Sequence, residues 1–217
     1  MKGIFQYKLR NYNEDYYLIY DRLNKVNFDK IPSFRWMKQQ INAQKNDYIL
    51  DAGCGVGHHL NYVCAGTAEG VGVDSSEVAL RIASSKFPRY RFEEQDLQNL
   101  YFEDERFDKI ICFNVIEHIR NQDLVMKELK RVLKKNGTIV IGTNIRNSLC
   151  WKLYQMFITE RTHEHEFTVR EFVKFVSLYF RVEKTAVLSG VFRFKPPLVW
   201  LFHYWLKGDI LIKGRKC

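Results

Sequence analysis

A glycine-rich segment that follows an acidic residue is the part of this sequence best suited to binding a ligand. Residues 48–58 read YILDAGCGVGH, an apolar strand that ends at Asp51 and leads into Gly53, Cys54, Gly55 and Gly57. Glycine allows a sharp turn and a close approach of the backbone to a bound molecule. In an alternating α/β sheet such a loop delivers the ligand to the amino end of the next helix. We therefore predict a nucleotide-type site over residues 51–57.

The spacing of these glycines argues against a dinucleotide. The dinucleotide fingerprint has the form G-x-G-x-x-G, and His58 occupies the position of its last glycine here. The Asp51 carboxylate would repel a pyrophosphate but suits a ligand that carries an ammonium group and a sulfonium. An NAD-dependent oxidoreductase is therefore the weaker alternative, and a plain strand-to-helix turn without a ligand is another.

Further polar residues follow the next strands of the chain. Asp74 ends a second apolar strand about 20 residues after the loop, where an acid can accept hydrogen bonds from ribose hydroxyls. Asp96 and Leu97 follow a weaker third strand, and Asn114 follows the strand FDKIICF at 107–113. Simpler explanations exist: Asp74 could cap the next helix, Asp96 could belong to a solvated acidic loop, and Asn114 could simply end a strand.

In this order, these segments resemble class I, Rossmann-like, S-adenosylmethionine (SAM)-dependent methyltransferases. The D-x-G-x-G-x-G pattern is similar to the first motif of that family. The IEHI ending at 116–119 is similar to the branch that acts on small molecules, quinones and sugars. Residues 128–138 also match this branch, although Lys135-Asn136-Gly137 replaces the usual Pro-Gly turn. The resemblance covers residues 46–145 well and continues loosely through 165–168 and 209–216.

This resemblance implies SAM as cofactor and S-adenosylhomocysteine as product. It implies that the methionine half lies against the glycine loop and Asn114, the ribose at the end of the second strand, and the adenine after the third. The implied cofactor-binding residues are Asp51, Gly53, Cys54, Gly55, Gly57, Asp74, Ser75, Asp96, Leu97 and Asn114.

No single residue is forced to be catalytic, because the methyl donor is already activated and the protein mainly positions the nucleophile and excludes water. His118 and His165 are the candidates for a general base, since imidazole titrates near neutral pH. A structural or substrate-orienting role is the simpler interpretation of each. His163 and His165 have no third ligand at a telling spacing, so we expect no metal site.

The sequence narrows the class of methyl acceptor. Neither N-P-P-[FY] nor D-P-P-[FY] follows the fourth strand, no Pro-Cys pair occurs, and no RNA-binding domain is recognisable. We therefore expect a small-molecule, sugar or lipid-like acceptor methylated on oxygen, nitrogen or carbon, and no nucleic-acid partner. A catalytically inactive SAM-binding regulator is one alternative. An RNA methyltransferase, favoured only by the net charge of +9, is another.

Alternating strands and helices predict the fold that must position these residues. We expect an α/β, Rossmann-like, doubly wound sheet of seven strands, mostly parallel. The family resemblance adds an antiparallel last strand. A single domain over 1–217 would comprise an N-terminal helical cap (1–45), a SAM-binding core (46–145) and acceptor-side elements with the last strands (146–217). Local patterns predict helices over 14–25 and from an N-cap at Ser33 to 43, a helix stop at Asn136-Gly137, and a strand beginning at Thr138.

Composition suits a single globular domain in a reducing compartment. The 217 residues are 46% hydrophobic, and the five cysteines include no C-x-x-C pair. No run approaches the roughly 20 apolar residues of a membrane span, and we predict a cytoplasmic protein. Two further segments have predicted roles. Tyr16, Tyr17 and Tyr20 are expected to cover the site. The apolar segment 192–207 is interpreted as a packed helix or dimer contact rather than a lid or peripheral membrane anchor.

Overall fold

Seven strands and five helices form an α/β unit in this computed structural model, which describes residues 27–145, 165–189 and 208–217. In chain order the elements are α1 (Pro32–Ile41), β1 (Tyr48–Ala52), α2 (His58–Cys64), β2 (Glu69–Asp74), α3 (Glu77–Lys86), β3 (Arg91–Glu94), β4 (Phe107–Phe113), α4 (Gln122–Val132), β5 (Leu133–Ile145), α5 (Val169–Ser177), β6 (Arg181–Ser189) and β7 (Gly208–Arg215).

The strands form one sheet in the order β3-β2-β1-β4-β5-β7-β6. The first five strands along the chain pair in parallel, and β7 lies antiparallel between β5 and β6. The predicted Rossmann-like, doubly wound, seven-stranded sheet with an antiparallel last strand is therefore confirmed. Strand order reverses between β1 and β4, and ligands of such sheets bind at the carboxyl ends of the strands around this point. We call the carboxyl ends of β1 to β5, with the loops that follow them, the cofactor edge.

Apolar clusters cover both faces of the sheet. On one face, Leu50 and Ile110 pack with residues of α4 and α5 such as Leu129 and Phe172. On the other face, Ile49 and Ile111 pack with α1 and α2. Neighbouring strand residues point to opposite faces, so the apolar residues of β1 and β4 pack into both clusters, and the two strands lie at the centre of the sheet.

Two predicted boundaries are wrong. Helix α1 begins at Pro32 with Ile31 in the N-cap position, and Ser33 is buried inside the helix. Proline suits this first position because it has no N–H to leave unpaired. Helix α4 ends at Val132, and β5 begins at Leu133 rather than Thr138. Leu133 pairs with Phe107 of β4, so tertiary pairing overrides the local stop signal at Asn136-Gly137.

Several predictions fall outside the described residues. They concern the helix over 14–25 with Tyr16, Tyr17 and Tyr20, the residues His163 and Cys150, and the apolar segment 192–207. In the described part of the chain, no helix has the length and apolarity needed to cross a membrane. The same part contains no cluster of three or more His, Cys, Asp or Glu side chains able to hold a metal ion.

Candidate functional site

The glycine loop joins β1 to α2 at the cofactor edge in a positive-φ backbone conformation that residues with a side chain rarely adopt. Gly53, Gly55 and Gly57 have φ angles of +77°, +49° and +80°. The amides of Gly53 and Cys54 both donate to the Val73 carbonyl of β2, at 2.8 and 2.9 Å. These bonds fix the start of the loop to the neighbouring strand.

The loop lies directly against the segment that leaves β4. A Cβ atom built at Gly53 would be 2.3 Å from Cγ2 of Val115, closer than any real contact allows. A Cβ atom built at Gly55 in the same way has no neighbouring heavy atom within 4 Å. The loop is therefore packed tightly on one side and borders open space at Gly55, which is the geometry of a cradle for a ligand.

Asp74 joins this loop to the next helix. Its Oδ2 accepts a hydrogen bond from the Gly55 amide at 2.8 Å, and its Oδ1 accepts one from the Ser76 amide at 3.0 Å. Ser76 caps α3, and the exposed Ser75 lies between them. Burial raises the pKa of Asp74, and the backbone donors at Gly55, Ser76 and Ser75 oppose this shift. Asp74 thus organises the loop as well as ending β2.

Asp51 is a buried carboxyl group beneath the loop. Only 1% of the residue is exposed, and Oδ2 accepts from the Leu60 amide of α2 at 3.0 Å. Burial raises its pKa to about 7; the Leu60 amide lowers it and the neighbouring Asp74 raises it. Burial, with both carboxyl groups, also raises the pKa of the Cys54 thiol. Cys54 is therefore not a reactive thiolate.

The loop after β3 reaches the same edge. The Gln95 amide donates to the Asp74 carbonyl at 3.2 Å. The exposed Asp96 accepts from the Gln98 amide at 2.9 Å, so its carboxylate shapes the turn. The Leu97 side chain is buried in the apolar core beside Leu100. The structure thus places Asp96 at the surface and Leu97 inward.

A polar cluster lies at the carboxyl ends of β4 and β5. Asn114 has a φ of +56°, and its amide donates to the Gly142 carbonyl of β5. The Asn144 side-chain amide donates to Asn114 Oδ1 at 3.3 Å and to Glu117 Oε1 at 3.4 Å. Sequence reasoning named Asn114, covered Glu117 only as part of the IEHI segment, and missed Asn144. Only the position of Asn144 near the end of a strand could have signalled it.

The two candidate bases lie close to the same turn after β4. His118 belongs to the 3-10 turn Ile116–His118. The exposed His165 donates its backbone amide to the Glu117 carbonyl at 3.1 Å, and its ring lies 4.5 Å from that of Phe167. The fold thus brings both histidines to the cofactor edge, and the role of either as a base stays a prediction.

His59 is a third histidine at this edge, and sequence reasoning did not single it out. Its ring stacks on Phe34 at 4.3 Å and meets Phe113 edge-on at 5.4 Å. Burial lowers its pKa to about 3, so the ring is neutral. Its place directly after the glycine loop was the available signal. His59 lines the edge as an aromatic group rather than as a charge.

The model of a methyltransferase domain family matches residues 43–175 of this chain. The chain belongs to this methyltransferase family. The match spans the glycine loop, Asp74, the loop after β3 and the turn after β4. Family membership confirms the predicted enzyme class and cofactor: the protein is a class I, SAM-dependent methyltransferase.

Relatives agree with this membership. A Mycobacterium tuberculosis (strain H37Rv) protein, named a probable SAM-dependent methyltransferase (Rv3030), is 30% identical over 95 residues, covering 44% of this chain and 35% of that protein. A demethylmenaquinone methyltransferase of Staphylococcus saprophyticus is 30% identical over 152 residues, covering 64% of this chain and 65% of that enzyme. The methyltransferase thus matches just over a third of the first relative and about two thirds of the second.

Solved structures agree on the fold. A Bacillus halodurans C-125 protein (BH2331) superposes with a TM-score of 0.71 at 20% identity, covering 85% of this chain and 98% of that one. At this identity the likeness concerns the fold alone. It is the same arrangement that carries the cofactor edge here.

Proposed function

We propose that this methyltransferase transfers the methyl group of SAM to a small-molecule acceptor, of the size and character of a quinone or another lipid-like compound. The observation that carries the proposal is the glycine loop, which is tied to β2, held by Asp74 and open at Gly55. A loop open to a small ligand, with no further binding domain among the described residues, suits a small acceptor better than a macromolecule.

The residues present fit SAM. The open space at Gly55 leaves room for the ligand backbone, and Asp51 and Asp74 place two carboxyl groups beside it. No ion pair of the described residues involves either of them. A cationic ligand would therefore supply a positive charge that neither carboxyl group receives from the described residues.

We assign roles along the edge in the order of the strands. The loop 53–57 and Asp51 would hold the methionine half, and Asn114 would border it. Asp74, with Ser75, would accept from the ribose hydroxyls, using the lone pairs that its backbone donors leave free. Asp96 would accept from the adenine amino group at the exposed end, and Leu97 would support that loop from the core.

Bound SAM supplies a methyl group on a positively charged sulfur, which a nucleophile can take without further activation. The chain then has to bring the nucleophile in line and exclude water. The turn 116–118 and the residues from His165 onward flank the place where an acceptor would meet this edge. The neutral, aromatic surroundings of His59 would favour an apolar acceptor.

Support for the acceptor class comes from the relatives. The Staphylococcus enzyme is named for a quinone precursor, demethylmenaquinone. A ubiquinone-biosynthesis O-methyltransferase of Coxiella burnetii is 28% identical over 117 residues, covering 52% of this chain and 50% of that enzyme. We carry over only the chemical class that these names share, a quinone.

Turnover tests this proposal. The purified protein would be incubated with SAM and separate pools of quinols, phenols, sterols and short RNA, and release of S-adenosylhomocysteine would be followed. We expect release with a small-molecule pool that falls in Asp74→Ala and continues in Glu103→Ala, a change at an exposed acid next to Phe102, whose ring contacts Phe107 at the amino end of β4. Release only with RNA would favour the RNA methyltransferase. SAM binding without turnover in any pool would favour an inactive regulator.

A further inference from the structure

The buried carboxyl group of Glu117 has hydrogen-bonding capacity that the described protein does not use. Only 1% of Glu117 is exposed. Its Oε1 accepts a long bond from Asn144 Nδ2, at 3.4 Å. Its Oε2 is buried and has no hydrogen-bond partner among the described residues. Leaving such an oxygen unsatisfied inside a protein is costly, so an orphaned one calls for an explanation.

Its neighbours offer little compensation. Asn144 divides one amide nitrogen between Glu117 and Asn114, and both contacts exceed 3.2 Å. Burial raises the pKa of the nearby Cys112 thiol, and the Glu117 carboxyl group raises it further. A thiol is only a weak donor. The carboxyl group is therefore held in place, but the described residues do not satisfy its hydrogen-bonding capacity.

The position of Glu117 connects it to both sides of the cofactor edge. Two residues before it, Val115 packs against Gly53 of the glycine loop. On the other side, its backbone carbonyl accepts from the His165 amide, next to the bridge between Ile145 and Phe167. Glu117 thus lies on the turn that separates the cofactor loop from the residues that begin at His165.

We propose that Glu117 is a ligand-binding residue whose Oε2 receives a cationic or hydrogen-bond-donating group brought to the cofactor edge by a bound molecule. This inference rests on the proposed function, because it takes the edge to be the place of methyl transfer. Two sources share the required chemistry: the positively charged methionine end of SAM, and a hydroxyl or amine of the acceptor. An acceptor whose nucleophile carries a proton would fit this residue, whereas an aliphatic carbon would not.

The test is Glu117→Gln, which keeps the shape of the side chain and can still accept from Asn144. Its control is Glu103→Gln, the same chemical change at an exposed site. Melting temperatures of the ligand-free proteins would be measured first. If Glu117 serves to bind a ligand, its unpaired carboxyl group destabilises the ligand-free protein, and Glu117→Gln removes this cost. We therefore expect the variant to melt at the wild-type temperature or about 2–4 °C above it. A melting temperature clearly below that of the control shows a structural residue and overturns the proposal.

Calorimetric titrations with SAM and with S-adenosylhomocysteine then separate the sources. If the cofactor is the source, Glu117→Gln weakens SAM roughly tenfold, the scale of one hydrogen bond to a charged group. S-adenosylhomocysteine is weakened equally if the contact is to the ammonium group, which both ligands carry, and less if the contact is to the sulfonium. If the acceptor is the source, both affinities stay within twofold and the melting temperature rises. Unchanged affinities with an unchanged melting temperature overturn the proposal. Failure of the wild-type protein to bind SAM would instead refute the proposed function, and the ligand-free melting comparison would still test Glu117.

Discussion

Asp74 Oδ2 lies 2.8 Å from the amide nitrogen of Gly55, so a side chain at the end of β2 holds the loop at the end of β1. The two strands pair in parallel, with Ala52 opposite Val73, which brings these residues together at one edge. Under the proposed function, cofactor binding and loop geometry both depend on this carboxyl group.

Replacement of Asp74 should therefore affect both properties. We expect Asp74→Ala to weaken S-adenosylhomocysteine binding by about 1–3 kcal/mol, because it removes acceptors for the Gly55 and Ser76 amides and for the ribose. Asn, which keeps one oxygen, should lose less. Calorimetry of both variants beside Glu103→Ala measures the effect. Equal affinities for Asp74→Ala and wild type would remove Asp74 from the site.

Two alanine substitutions in the glycine loop should have different effects. Gly53→Ala forces a Cβ to within 2.3 Å of Val115, so it should lower the free energy of unfolding by roughly 2–4 kcal/mol. Gly55→Ala meets no neighbour within 4 Å and should cost only about 1–2 kcal/mol for its positive φ. The methyl group added by Gly55→Ala would enter the proposed ligand space. For this variant, the loss of SAM affinity should therefore be larger than the loss of stability.

Urea unfolding and calorimetry of both alanine variants separate these effects. Adding Val115→Ala to Gly53→Ala should recover part of the lost stability, because it removes the clashing atoms. Equal stability losses for the two single variants, or no recovery in the double variant, would contradict the packing described here.

The raised pKa of Asp51 predicts a dependence of stability on pH. Because the folded protein holds this proton up to a pKa of about 7, whereas an unfolded aspartate releases it near 4, Asp51 lowers stability as pH rises between these values. Asp51→Asn carries no such charge and can still accept from the Leu60 amide. The variant should therefore gain roughly 2–4 kcal/mol relative to wild type between pH 4 and pH 8.

Chemical denaturation of the ligand-free proteins at several pH values checks this. Glu103→Gln serves as the control for loss of a negative charge at an exposed site. A stability difference between Asp51→Asn and wild type that does not change with pH would show that the buried carboxyl group keeps an ordinary pKa.

Asp96 offers a test of where the adenine lies. If its exposed carboxylate accepts from the adenine amino group, Asp96→Ala should weaken S-adenosylhomocysteine about fivefold to tenfold, the scale of one hydrogen bond. The wild type should prefer S-adenosylhomocysteine over S-inosylhomocysteine, which lacks the amino group, and the variant should not. A preference that survives in Asp96→Ala would place the adenine elsewhere.

The sequence allowed prediction of the features that depend on local chemistry. A run of alternating glycines after an acid requires an unusual backbone, and the structure has it at Gly53, Gly55 and Gly57. Alternating strands and helices likewise predicted the sheet. The helix boundaries at Ser33 and Asn136 were wrong because Pro32 and the pairing of Leu133 with Phe107 decided them.

The contacts between loops could not be predicted in the same way. The approach of Val115 to Gly53 and of Asn144 to Glu117 depends on the order and register of β1, β4 and β5. Val115 and Asn144 carry no local pattern that differs from ordinary strand ends. They become visible only when the sheet brings the ends of distant strands together, and it is there that the unsatisfied oxygen of Glu117 appears.

The most direct measurement is a calorimetric titration of the purified protein with S-adenosylhomocysteine, beside Asp74→Ala and Glu103→Ala. We expect micromolar binding in the wild type and in Glu103→Ala, and binding weakened by about 1–3 kcal/mol in Asp74→Ala. No binding to the wild type, or equal binding by all three proteins, would contradict the assignment of the glycine loop and Asp74 to the cofactor.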